Sequence, residues 1–410
     1  MPSTGGRSSL ATNPAEKARH HAGREVAVIG IGQTAFGERW EASFRDLVTE
    51  AGLKAIQDAN IQGEDIDAVY VGSMSTALTI GQEHVAPLVI DHAGLADFHM
   101  PATRVEGSGA SGSIAFRQGV LAVRSGDADI VVVGGVEKMT DSSDAETARI
   151  VGSSMDQEWE SFVGATDTAI HAMMARAHMD ELGTTLDMLA QVAVKNHDHG
   201  LKNPYAQFKR PITREQVHAA PMVADPLTRL HCAPLSDGAS TVVLCPLEAA
   251  ESFTKKPVKV AGTGQGSDTL ALHARHSLTT MAAARAAAER AYAQAGWGPD
   301  SVDVAELHDA YTVNELIALE DLGFFPRGGA GPATLEGETA LGGRIPINPS
   351  GGLKARGHAV GATGLAQIAE IVSQLRNEAE GRQVKDARRG VCHNTGGTGA
   401  TAVVTALEVL

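Results

Sequence analysis

With 410 residues, 43% of them hydrophobic and 20% charged, the chain has the composition of a globular protein and length for about two domains of roughly 200 residues each. A formal net charge of −15, with no run of Lys or Arg, argues against nucleic acid or an anionic membrane as the main partner, and no stretch reaches the 18 or so apolar residues of a membrane span. Cys232, Cys245 and Cys392 lie far apart without CxxC spacing, which excludes a disulfide framework and a metal site; a cytoplasmic setting is expected.

Residues 1–24 are polar, basic and rich in Ser, Thr and Gly, and are expected to form a disordered tail, with an organellar transit peptide as the alternative. A β-branched strand, Val26 to Gln33, then runs through Gly30 and Gly32. Its Gly-x-Gly-x-x-Ala pattern fits a dinucleotide loop only loosely, because helical periodicity begins near Phe44 rather than at the glycines. A turn serving the fold is the better reading. An amphipathic helix through Leu47, Ala51 and Ala55, a turn at 59–63 and a strand over 66–71 follow. The segment Gly107-Ser108-Gly109-Ala110-Ser111-Gly112 makes an elbow into a helix over 113–122, and a strand over 130–135 comes next.

Residues 141–225 read as an inserted, mainly helical excursion, rich in Met and His, that caps a pocket; 225–244 return to a strand. From Val258 the plan repeats: a strand with Gly262 and Gly264, a helix ending at Ala295, a strand over 302–307, a glycine elbow over 351–364, a helix over 365–375 and a strand over 390–394. The chain therefore divides into 25–257 and 258–410, two βαβ-type halves with a site between them.

Helix N-terminal elbows gather unpaired N–H groups that stabilise an alkoxide, a thiolate or an oxyanion. Gly109, at the pivot of the first elbow, has no side chain to supply a nucleophile. His358 lies just before the second elbow helix, where the positive helix end favours neutral imidazole and hence a general base. His308 and Tyr311 follow a strand end in Glu306-Leu307-His308-Asp309-Ala310-Tyr311, the edge where open α/β sheets bind ligands. Asn394 to Gly399 offers an anion nest or a plain turn, and Arg104, Lys354 and Arg356 offer ion pairs or phosphate contacts.

In RVEGSGASGS, VVVGGVEKMT, DQEWESFVGAT, SDGASTVVL, ELHDAYTVNELIALEDLGF, NPSGGLKARGHAVGATG and HNTGGTGAT the chain closely resembles the thiolase family, in its archaeal and sterol-carrier-protein-type acetyl-CoA acyltransferase branch, from Arg24 to Leu410. The resemblance implies an α/β fold of two βαβαβαββ halves in a five-layer α/β/α/β/α core with a loop domain. It implies a CoA thioester as substrate with no bound cofactor, a homodimer or homotetramer, and a small zinc-ribbon/OB-fold partner subunit. By the same resemblance His358 activates the nucleophile, His308 with a water holds the enolate oxygen, and the N–H groups of Gly109 and Gly396 form a second oxyanion hole.

The nucleophilic cysteine of the family falls at Gly109, and the places of the second reactive cysteine hold Ala310 and Asn394. Cys392 is two residues off register, and Ala359 replaces a proline. Three readings follow. Ser108, ahead of Ser111, takes the acyl group with His358 as base; or the histidines and Tyr311 cleave a CoA thioester by a retro-aldol step without an acyl-enzyme; or the chain is a non-catalytic, Cys-to-Gly inactivated CoA-binding subunit.

Overall fold

The structure, a computed structural model, describes residues 23–410; all but the last two residues of the expected tail lie outside the described residues. The strands are β1 (Val26–Gln33), β2 (Ala68–Gly72), β3 (Ala102–Val105), β4 (Val131–Glu137), β5 (Met222–Ala224), β6 (Leu227–Thr228), β7 (Gly238–Pro246), β8 (Val258–Ser267), β9 (Val304–Leu307), β10 (Arg389–Gly396) and β11 (Thr401–Val409). The longer helices are α1 (Phe44–Ala59), α2 (Ser111–Ser125), α3 (Asp144–Gly152), α4 (Asp167–Leu182), α5 (Leu186–Gly200), α6 (Ala282–Ala295), α7 (Thr312–Asp321) and α8 (Thr363–Leu375).

Duplication is written into the strand order β3-β2-β4-β7-β1-β8-β11-β10-β9. Reading outward from the middle, β1-β7-β4-β2-β3 is matched by β8-β11-β10-β9, and a parallel bridge from Ala305 to Ile347 stands where the second half would have its β3. The halves are joined edge to edge, since β1 and β8 pair antiparallel at Ala27–Lys259 and Val28–Val258.

All 13 residues of α8 are buried, as expected of a helix apolar all round. With α2 it lies between the two wings of the sheet, where Phe116, Val120, Leu365 and Ile368 share one core with Leu244 of one wing and Leu407 of the other. Outside them, α1 covers the first wing and α6 with α7 the second, giving the five expected layers. Buried positions on α1 (Phe44, Leu47, Val48, Ala51, Ala55, Ala59) follow the helical period, and a Ser43/Asp46 capping box starts it.

The glycine pairs expected to form turns lie inside strands instead. A Cβ on Gly32 would come within 2.2 Å of the Ala51 carbonyl oxygen, and one on Gly264 within 2.0 Å of that of Ala287. Bare backbone at these points lets α1 and α6 lie directly on their strands, so the pattern serves packing and not a dinucleotide.

Candidate active site

Two elbows meet between the halves. In the first, β3 ends at Val105 and residues 108–110 make one tight turn before α2. Ser108 sits there at φ 53°, the left-handed region that costs a non-glycine residue about 1 kcal/mol or more. Its N–H donates to Glu106 Oε1 (2.6 Å), and its Oγ accepts the Gly397 N–H (3.3 Å). Ser111 is a brace: its Oγ accepts the Gly107 N–H (3.0 Å) and donates to the Ser108 carbonyl (2.7 Å), fully buried. A Cβ on Gly109 would fall 2.5 Å from the Thr395 carbonyl oxygen and 3.0 Å from His308 Cε1. The surroundings have closed over the position.

In the second elbow, a short helix, Gly352–Arg356, runs through Gly357 to His358. Asp309, next to His308, accepts the N–H groups of Leu353 (2.7 Å) and Lys354 (3.2 Å), so one carboxylate ties the two histidine segments together. A cavity of about 650 Å³ opens between the elbows, with Ser108, Gly109, His308, Tyr311, His358 and Gly397 in its wall.

The two imidazoles meet edge to face, their centroids 5.3 Å apart. Burial, with the Arg356 guanidinium adding, pushes the His358 pKa down to about 3; burial and the neighbouring His358 hold His308 well below the usual histidine range. The neutral form expected of His358 is thus present, with burial rather than the helix end as the leading cause.

Their partners assign the protons. Thr363 Oγ1 donates to the Ala359 carbonyl (3.0 Å), so toward His358 Nδ1 (2.7 Å) it accepts; His358 then carries its proton on Nδ1 and a lone pair on Nε2. Asn394 Nδ2 donates to His308 Nδ1 (2.8 Å), which puts the His308 proton on Nε2. The cavity therefore holds one imidazole that accepts and one that donates.

Other residues singled out from sequence fall as follows. Asn394 stands behind His308 and not in the cavity wall. Gly396 is likewise behind the wall, where Gly397 takes the lining place. Burial, with Glu306 adding, pushes the Cys392 thiol well above its ordinary range; it packs in the central core away from the cavity. Arg104 binds Glu83 and the Met74 carbonyl, Arg356 lies 3.6 Å from Glu306, and Lys354 is buried with its pKa pushed down to about 8; none of the three lines the cavity.

The excursion lines the cavity that it was expected to cap, but sequence reasoning did not single out Asp167, Thr168 or Cys232 there. Tyr311 Oη donates to Asp167 Oδ2 (2.8 Å) and pairs with Thr168 Oγ1 (3.0 Å), and its ring stacks on His171 at 4.2 Å. Cys232 lines the same wall, its thiol pushed up to about 11 by burial. The available signal was the helix start Thr166-Asp167-Thr168, which directs polar side chains to a helix N-terminus.

A family model described as Thiolase, N-terminal domain matches residues 26–248, and one described as Thiolase C-terminal domain-like matches residues 264–409. The acetyl-CoA acetyltransferase of Methanothermobacter thermautotrophicus is 52% identical over 93% of this chain and 98% of that protein. Sterol carrier protein 2 of Gallus gallus is 36% identical over 93% of this chain and 71% of that protein. Among solved structures, the Ltp2-ChsH2(DUF35) aldolase superposes with a TM-score of 0.82 and 28% identity, covering 95% of this chain and 98% of that one. The chain belongs to the thiolase family of enzymes. Among the described residues, no helix is long and apolar enough to cross a membrane.

Proposed function

We propose that the chain is a thiolase-type C-acyltransferase acting on a CoA thioester, with Ser108 in place of a cysteine as acyl carrier. One observation carries this reading: Ser108 is held at φ 53° on a strand-to-helix elbow, in the wall of the cavity that both histidines line. Strain of that kind at an elbow is what a nucleophile position looks like. His358 Nε2 takes the Ser108 proton as Oγ attacks the thioester carbonyl, and the CoA thiolate leaves with a proton. An acyl-serine ester remains. His358 then removes a proton from the α-carbon of a second thioester, the His308 Nε2–H holds the enolate oxygen, and the carbanion attacks the ester and frees Ser108. The N–H groups of Gly109 and Gly397 hold the tetrahedral oxyanion, that of Gly397 passing to it from Ser108 Oγ. The acetyl-CoA acetyltransferase relative supports the substrate class.

Incubation with acetyl-CoA followed by intact-mass and peptide analysis tests it. A 1:1 acetyl adduct on Ser108, absent from Ser108→Ala, is the expected result; no adduct on any residue sinks it.

A second reading, retro-aldol cleavage of a 3-hydroxyacyl-CoA without an acyl-enzyme, is favoured by the closed space at Gly109, by the complementary histidine protons and by the likeness to the Ltp2-ChsH2(DUF35) aldolase. Turnover of such a thioester to a carbonyl compound and a shorter CoA ester, with no adduct, selects it. The proposal also carries the halves 25–257 and 258–410, a homodimer or homotetramer, a cytoplasmic setting and a small partner subunit; the paired name of that aldolase supports the last.

A further inference from the structure

Around Tyr311 and Asp167 the cavity wall offers the substrate acceptors whose own protons are already committed. Tyr311 Oη has its proton on Asp167 Oδ2 (2.8 Å), and Thr168 Oγ1, its remaining neighbour at 3.0 Å, supplies a donor to it. Burial, with the Asp167 charge adding, raises the Tyr311 pKa well above the usual phenol range, so the phenol stays neutral and its proton stays committed. Among the described residues no hydrogen bond engages Asp167 Oδ1, and the nearby His171 Nδ1, 3.6 Å away, donates instead to the Asp167 main-chain carbonyl at 2.9 Å. His171 Nε2 is buried with no hydrogen-bond partner, on a side chain 2% exposed. Farther out, Glu38 and Asp144 line the same cavity, against Arg229 as its single cationic side chain.

A carboxylate and a phenol oxygen set side by side with no free proton discriminate by chemistry. A hydroxyl donates to the carboxylate and stays uncharged. A carboxylate placed there meets the Asp167 charge and the Tyr311 acceptor, and a plain alkyl chain leaves Asp167 Oδ1 desolvated without a partner. The cavity's volume of about 650 Å³ leaves room beyond a two-carbon acyl group for the substituent to reach this wall.

We infer that the acyl group this site takes is uncharged and bears a hydroxyl, held by Asp167 and Tyr311, and that dicarboxylic acyl groups are rejected. The inference rests on the reading of the cavity as a CoA thioester site. Equilibrium binding to the full chain, measured by calorimetry without turnover, tests it with hexanoyl-CoA, its 4-, 5- and 6-hydroxy derivatives and adipoyl-CoA. At least one hydroxy ester is expected to bind about tenfold tighter than hexanoyl-CoA, and adipoyl-CoA several-fold weaker. Asp167→Asn is expected to narrow the gap between the hydroxy and carboxy esters, and Tyr311→Phe, should the first variant not fold, to reduce the hydroxyl preference. Equal affinity for hexanoyl-CoA and every hydroxy ester overturns the inference, as does a preference unmoved by both variants. If hexanoyl-CoA itself does not bind, the reading of the cavity falls and takes this inference with it.

Discussion

His308 and His358 stand 5.3 Å apart, ring edge to ring face, and their Nδ1 partners differ in kind: an amide N–H behind His308, a hydroxyl oxygen behind His358. Two identical side chains thereby acquire opposite roles toward the cavity, a donor and an acceptor, with neither carrying charge.

Thr363→Val removes the acceptor that fixes the His358 proton on Nδ1. Activity should fall by roughly 10- to 100-fold in kcat with KM little changed, as for the loss of an orienting partner behind a catalytic imidazole. Steady-state kinetics on the substrate identified by the adduct or cleavage assays checks this; a rise in KM alone would place Thr363 in substrate binding instead.

Ser108→Gly should separate stability from chemistry. Glycine adopts φ 53° freely, so relief of strain is expected to raise stability by about 1 kcal/mol, offset in part by the lost Oγ contact to Gly397. The same variant loses the acetyl adduct. A lower melting temperature combined with an intact adduct contradicts both halves of the account.

Gly109→Cys does not simply restore a family nucleophile. Its Cβ meets the Thr395 carbonyl oxygen at 2.5 Å, so β10 has to shift, at a cost of about 1–3 kcal/mol. A melting temperature equal to that of the parent would show that the strand yields freely.

Five buried histidines make the fold acid-sensitive. Burial holds His199, His358 and His393 to about 3 and His197 and His231 to about 4, against an ordinary value of 6.5. At these histidines the unfolded chain binds more protons between those values, so their contribution is full above pH 6.5 and is lost as pH falls toward 4 and below, while the buried carboxyls of Glu306, Asp321 and Asp309, raised to about 8, 7 and 6, act in the opposite sense. Each histidine contributes about 1.4 kcal/mol per pH unit in that window. Urea midpoints of parent and His393→Leu between pH 7.5 and 4.5 isolate one such group: the variant, which removes an imidazole with neither nitrogen paired, should lack one proton's worth of the parent's loss of stability on acidification.

Thiol labelling should be selective for place rather than fast. Cys232 alone among the three thiols lines the cavity, yet burial raises its pKa to about 11, so alkylation is slow at neutral pH and a CoA thioester should slow it further. Cys245 and Cys392, fully or nearly fully buried, should react only on unfolding. Equal labelling of all three in the native protein would contradict the packing described.

Periodic features were legible from sequence because they repeat: the doubled strand-glycine-helix plan, the two elbows, and His308 and His358 at their edges. What escaped reading depends on contacts across the chain. The Gly30 and Gly262 segments look like turns locally, and only the helices lying on them turn those glycines into packing points. Asp167 and Thr168 come from an excursion without period-2 or glycine signals, and nothing near them in sequence announces that Tyr311, 144 residues from Asp167, will receive them. Gly396 and Gly397 differ by one residue, which on a strand end decides whether a backbone N–H faces the cavity or the sheet.

The elbows also touch each other through bare backbone. A Cβ on Gly112 would come 2.5 Å from the Gly361 carbonyl oxygen, and one on Gly361 would fall 2.7 Å from that of Gly72. Any added side chain at these points would push the two elbows apart, and the short β1–β8 pairing at Ala27 and Val28 joins the sheets of the two halves. Variation in the excursion around α3 and α4, which lines the cavity, can therefore reshape the site without disturbing this glycine-keyed seam.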